Sequence, residues 1–196
     1  MDSKNARDPD FTRRQIKIAA KREFNSVGYF ATDTNKIAKL AGYAPGSFYR
    51  HFKDKIAIFI EVYQDWSQEQ MSEIERALSL GGTIEEMAEQ LTSIIITFYG
   101  NWRPLRASAR VLRISEPRVR DFRSELRAES VQKVIALRSK LKLVELSEEN
   151  ILVFLILAER LGDAVADGEF DIPSLPKDAG RHALFEFISR HLRGDP

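Results

Sequence analysis

The chain has 196 residues, 30 Lys and Arg against 29 Asp and Glu, 43% apolar side chains and no cysteine. That length holds a small domain plus a larger one with its own core, and without thiols there are neither disulfides nor thiolate metal sites. The longest apolar run, Ile151–Ala158, is too short for the roughly 20 residues that span a bilayer, and the polar opening MDSKNARDPD lacks the apolar core of a secretion signal, so a cytoplasmic protein is expected.

The first predicted helix covers Phe11 to Val27, with Ile16, Ile18, Ala19, Ala20, Phe24 and Val27 on an apolar face and Gly28 as its stop. Thr32 or Asp33 can cap the next helix, Thr34 to Leu40, by accepting from unpaired amides. Ile37, Leu40 and Ala41 are its inward residues, and Ala38 suits a close helix crossing. Gly42 supplies a permissive turn, Pro45 suits a first helical position, and a third helix, Pro45 to Phe52, points Phe48 back into the core. A small residue, a glycine turn and an apolar residue in that order describe a helix-turn-helix, the device that lays a helix in the major groove of DNA.

The stretch from residue 11 to 63 resembles the DNA-binding domain of the TetR family of bacterial repressors. The matching residues are Gly28-Tyr29, Thr32, Ile37-Ala38, Ala41-Gly42, Gly46, Phe48-Tyr49, His51-Phe52 and Lys55. Two positions depart from the family pattern: Ala44 stands where a Ser or Thr cap is usual, and Tyr43 replaces a small aliphatic residue. The resemblance implies phosphate contacts from Thr32, Tyr49, His51 and Lys55, which fix register without reading sequence. Base or groove contacts then fall to Asn35, Lys36, Tyr43, Pro45, Gly46, Ser47 and Arg50. Ser47 can pair with several base edges and Pro45 can meet a thymine methyl. Tyr43 can reach base or phosphate; Arg50 can read guanine, although an arginine beside phosphates is more often a charge contact.

Charge agrees with this placement. Residues 1–60 hold 12 basic against 6 acidic side chains, a net of +6, and the rest hold 18 against 23, a net of −5. A basic head on an acidic body puts a polyanionic partner at the N-terminus.

Beyond the head every segment reads as helix. The predicted helices run from Lys55 to about Leu80, from a Thr83 cap to Tyr99, from Pro104 to Ser115, from Pro117 to about Lys142, from Ser147 to Asp167 and from about Asp178 to Leu192. The expected fold is all-α with about nine helices: a helix-turn-helix domain over 11–55, a regulatory domain over 56–193, and flexible ends at 1–10 and 194–196. The resemblance implies that the second domain dimerises and binds a small, hydrophobic effector.

Ile151–Ala158 is apolar all round, so its helix needs cover on more than one face. Ala158, Gly162 and Ala166 form a stripe of small residues four apart. These features place a dimer seam on Phe154, Ala158, Gly162, Val165, Ala166, Leu184, Phe187 and Ile188; the competing reading is a buried central helix. Trp66, Phe98, Tyr99, Trp102, Leu105, Ala109, Leu112, Phe122 and Leu126 are candidate pocket residues, although such a cluster is also what a core contains. Arg103, Arg106, Arg110 and Arg113 share a helix face that is either solvated or a site for an anionic head group.

His51, His182 and His191 form no metal motif, and no nucleophile elbow, phosphate loop or dinucleotide fingerprint is present. His182 and His191 are placed at solvent or the dimer seam. The resulting expectation is a DNA-binding regulator rather than an enzyme, with no cofactor, no metal, a double-stranded operator and a second copy of the chain as partners. A helical protein-binding adaptor is the remaining rival.

Overall fold

A computed structural model describes residues 9–79 and 81–195. The described residues form nine helices and no strand: α1 (Pro9–Val27), α2 (Thr34–Leu40), α3 (Pro45–Phe48), α4 (Lys55–Leu78), α5 (Ile84–Asn101), α6 (Arg103–Ser115), α7 (Pro117–Lys140), α8 (Glu148–Asp167) and α9 (Ala179–Arg193). Pro9 and Asp10 are helical, although the sequence reading left them in a flexible end. At the other expected flexible end Gly194 caps α9 and the Asp195 amide donates to the Arg190 carbonyl; residues 1–8 and Pro196 lie outside the described residues, as does Leu80, the expected end of α4. The third helix is shorter than expected, with residues 49–51 in a turn. Gly100 does not stop α5, which continues to Asn101.

Helix ends follow local chemistry. The Thr83 hydroxyl accepts from the Glu86 amide at 3.2 Å while the Glu86 carboxylate accepts from the Thr83 amide at 2.8 Å, a reciprocal capping box. The Ser147 hydroxyl accepts from the Asn150 amide at 3.2 Å. Gly168 closes α8 at φ 77°, in the left-handed region.

The chain packs as two compact units. The first takes the described residues up to Ser67 together with Pro104–Arg123, so it extends beyond a three-helix head to include α6 and the start of α7. Its core is formed by Ile16, Ala20 and Phe24 of α1, Ile37 and Ala38 of α2, Phe48, Phe52, and Ile58, Phe59 and Val62 of α4. Phe24 and Tyr29 both pack on Phe59, with ring centroids 5.4 and 5.3 Å away. Three apolar residues expected inside are outside: Ile18, half a turn round the helix from the buried side, and Val27 and Leu40, in the last turns of their helices.

The second unit takes Gln68–Arg103 and the described residues from Ser124 onward. Here α5 packs against both α8 and α9, and α8 against α9. At Gly162 the stripe of small residues on α8 meets α5 of the same chain. A methyl group added at Gly162 would lie 2.7 Å from Ile95 and 2.8 Å from the Tyr99 ring. Of the residues expected at a dimer seam, Ala158, Gly162, Leu184 and Ile188 are already buried in the single chain. Their small or branched side chains let the helices of this chain approach closely. Phe154, Val165, Ala166 and Phe187 are half-buried, and Leu152, Val153 and Leu157 remain exposed on α8.

The two C-terminal histidines differ. His182 is exposed, whereas His191 is buried and stacks on Phe154 with centroids 3.6 Å apart; Phe154 in turn stacks on Phe187. Burial, aided by the nearby Arg138 charge, holds the His191 pKa down at about 4. The Arg138 guanidinium donates to the Val144 carbonyl at 2.6 Å and the His191 carbonyl at 3.1 Å, fixing the end of α7 against α9.

Candidate nucleic-acid interface

The site is built on the turn between α2 and α3. Asp33, rather than Thr32, caps α2: its carboxylate accepts from the Lys36 amide at 2.8 Å. At the other end the Gly42 amide donates to Lys39 and the Tyr43 amide to Ala38, the paired bonds of a Schellman ending. Gly42 holds φ 83° with nothing within 4 Å of where a Cβ would stand, so backbone conformation, not space, selects glycine here. The chain then enters α3 at Pro45 with Ala44 as a cap that has no side-chain oxygen to offer. Phe48 is fully buried and anchors the short helix.

Around that anchor the candidate reading residues spread outward. Asn35, Pro45, Gly46 and Arg50 are exposed, and Tyr43, Ser47 and His51 are half-buried. Tyr49 is 59% exposed, and its hydroxyl lies 3.0 Å from the Thr34 hydroxyl. Thr34, which sequence reading passed over, therefore shares a polar edge with Tyr49 at the start of α2.

Three assigned residues are otherwise engaged. Thr32 is buried, its hydroxyl hidden from solvent, because the loop before α2 folds inward there. The Lys36 ammonium turns back to Glu23 of α1 at 2.5 Å instead of projecting freely outward. The Lys55 ammonium donates to the carbonyls of Tyr29 and Thr32, at 2.9 and 2.7 Å, and sits 4.0 Å from the Tyr29 ring centroid. Burial lowers its pKa from the ordinary lysine value, with Asp33 acting the other way. Lys55 thus ties the α1–α2 loop to the first turn of α4 before it does anything else.

The basic face of α1 is also partly answered within the unit. Arg13 pairs with Glu61 at 2.5 Å and Lys17 with Asp65 at 2.8 Å, both carboxylates lying on α4. The charge division nevertheless becomes sharper along the structural boundary. The segments 1–67 and 104–123 hold 18 basic against 10 acidic residues, a net of +8, and the remainder hold 12 against 19, a net of −7. Six arginines of α6 and early α7 account for the gain.

Two distant segments reach this domain. The Tyr29 amide donates to the Ser108 hydroxyl at 2.9 Å, and Ser108 donates to the Pro104 carbonyl at 2.8 Å. The Arg118 guanidinium donates to Asp54 at 2.9 Å and also engages Glu116. Asp54 is itself the cap of α4, accepting from the Ala57 amide at 2.8 Å. Burial alone would raise the Asp54 pKa, but these hydrogen bonds outweigh it and hold the carboxyl below its ordinary range.

The candidate effector residues fall into both units. Trp66, Leu105, Ala109 and Leu112 are buried in the first, with Phe122 half-buried there; Tyr99 is buried in the second, with Phe98, Trp102 and Leu126 half-buried. The four arginines do not form one solvated face. Arg106 is only 3% exposed and stacks over Trp66, 4.9 Å from its ring centroid, while Arg103 pairs with Asp167.

Residues 18–62 match the family described as bacterial regulatory proteins, tetR family. The chain is 36% identical over 75 residues to the HTH-type transcriptional regulator AcrR of Shigella flexneri, a stretch covering 38% of this chain and 34% of that protein. The match thus spans about a third of the curated relative. A transcriptional regulator from Rhodococcus sp. Rha1 superposes with a TM-score of 0.69 at 17% identity, covering 93% of this chain and 96% of the other. The fatty acid degradation regulator FadR from Bacillus halodurans superposes with a TM-score of 0.66 at 20% identity, covering 93% and 95%. At those identities the superpositions show a shared fold, and the family match is confined to residues 18–62.

Proposed function

We propose that this chain, a member of the TetR family by its DNA-binding domain and its fold, is a sequence-specific repressor that binds a palindromic operator as a homodimer and is released by a small apolar ligand. The observation that supports it most is the α2–α3 arrangement. A buried Phe48 holds a one-turn helix with Pro45 and Gly46 exposed, flanked by exposed Asn35 of α2 and Arg50 of the following turn, in a unit with net charge +8. Tyr49, paired with Thr34, and His51 would grip phosphates, while Tyr43, Pro45, Gly46, Ser47 and Arg50 would face the groove. Lys55 supports this grip from behind.

The homodimer reading now rests on a different surface from the small-residue stripe. Leu152, Val153 and Leu157 are exposed beside the stacked Phe154 and Phe187, and a second copy would cover them by two-fold symmetry. Two recognition helices would then have to lie about 34–36 Å apart to enter successive major grooves, and a ligand that alters that spacing would release both half-sites together. Because a protein sharing this fold regulates fatty acid degradation, fatty acids and acyl esters are a reasonable first thermal-shift screen.

Gel shift with the promoter beside the chain's own gene tests the DNA-binding claim. Binding that weakens steeply with salt is the expected result, since phosphate contacts release counterions; no binding to this promoter or to any duplex from a random pool refutes it. Sedimentation of a monomer at micromolar concentration refutes the dimer.

A further inference from the structure

Tyr29 stands at the turn leaving α1 and Asp54 at the cap of α4, so together they bracket the helix-turn-helix. Each is held from a segment far along the chain, Tyr29 by Ser108 and Asp54 by Arg118. Lys55 closes the ring between them by donating to the Tyr29 carbonyl. Ser108 is buried, and a methyl group on Gly28 would come within 3.0 Å of its hydroxyl, so α6 lies directly against the end of α1. All of these residues belong to one compact unit.

We propose that α6 and the first turn of α7 are part of the DNA-binding machinery, with Ser108 and Arg118 acting as positioning residues that fix the helix-turn-helix at its two ends. This rests on the DNA-binding reading above. Within this unit, a helix-turn-helix held by α4 alone could rock about that helix. Restraining Tyr29 and Asp54 as well removes that freedom, so less ordering is left to the moment of DNA binding. The raised pKa of the Tyr29 hydroxyl accords with this packing: burial is the main cause, and the carboxylates of Asp54 and Glu116 add to it.

The test uses the full chain and a duplex that the wild type selects from a random pool, titrated by fluorescence anisotropy at several salt concentrations. Ser108→Ala and Arg118→Ala should each weaken binding about tenfold, near the lower end of typical coupling between sites, with the salt slope unchanged. Arg118→Lys should recover most of the loss. Asp54→Asn keeps an oxygen for the Ala57 amide, so it should lose as much as Arg118→Ala, and the double variant should lose no more than either single one. Wild-type affinity in both alanine variants overturns the proposal. So does a loss accompanied by a shallower salt slope, which would make Arg118 a phosphate contact.

Hydrogen exchange of the DNA-free chain gives a separate reading of the ties. Faster exchange over 28–33 and 55–58, with 148–193 unchanged, is the expected result for the alanine variants, and unchanged exchange over the first two segments overturns the proposal. A wild-type chain that selects no duplex instead overturns the functional reading and the positioning role with it, while the exchange data still decide whether the ties exist.

Discussion

The two compact units are held together by different means. In the basic unit, distant segments are tied through polar contacts: Ser108 to Tyr29, Arg118 to Asp54, Lys55 to two loop carbonyls. In the acidic unit Arg138 makes a comparable polar tie, but the crossing of α5 and α8 is held by close approach, with Gly162 bringing α8 within van der Waals reach of Ile95 and Tyr99. Hydrogen bonds and ion pairs at partly exposed sites contribute modestly, about 0–1 kcal/mol for a surface pair, and can be exchanged for water. A packed helix crossing resists displacement because each contact is lost outright when the helices part.

Substitutions can break that contrast. Phe48→Ala should have the largest effect, on the order of 3–5 kcal/mol for truncating a fully buried aromatic, read by thermal unfolding as a loss confined to the basic unit and by a complete loss of DNA binding. A loss spread equally over both units would sink the idea that they are separate. The His191 effect comes next. Its folded-state pKa of about 4 lies below the usual 6.5, so the folded chain keeps the ring neutral while the unfolded chain takes a proton first. Stability should therefore be full above pH 6.5 and decline as pH falls toward 4, by up to about 1.4 kcal/mol per pH unit. His191→Phe should flatten that part of a urea-denaturation series, and a wild-type profile in the variant would reject the assignment.

Gly162→Ala should cost about 1–3 kcal/mol through overpacking, measured as a lower urea midpoint for the acidic unit. Gly42→Ala should cost about 1–2 kcal/mol, entirely from holding φ 83° with a side chain. These two glycines sharpen the comparison, since one requires room and the other conformation. Smallest is Ala44→Ser, which supplies the missing cap and should stabilise α3 by about 1 kcal/mol, visible as slower amide exchange at Gly46 and Ser47.

Much of the reading unit was legible because its information is local. The spacing of Ala38, Gly42 and Phe48 dictates a turn whatever surrounds it, and in the other unit Thr83 marks the start of α5 in the same local way. What failed was assigning neighbours. Periodicity shows that Ala158, Gly162 and Ala166 share a face of α8, but not that α5 of the same chain meets it at Gly162. It groups Arg106 with Arg103, Arg110 and Arg113, yet gives no sign that Arg106 stacks over Trp66. Ser108 and Arg118 were missed for the same reason, their partners lying 79 and 64 residues away. Asp54 had a visible signal, an acidic residue just before an apolar helix, and was overlooked beside the stronger family pattern.

The discontinuous make-up of the basic unit bears on how this protein can be re-engineered. Grafting residues 11–55 onto another regulator's body would leave the Tyr29 amide and the Asp54 carboxylate facing foreign side chains. A working hybrid should need α6 and the opening of α7 carried across with the head, so the transferable module is two pieces of chain rather than one.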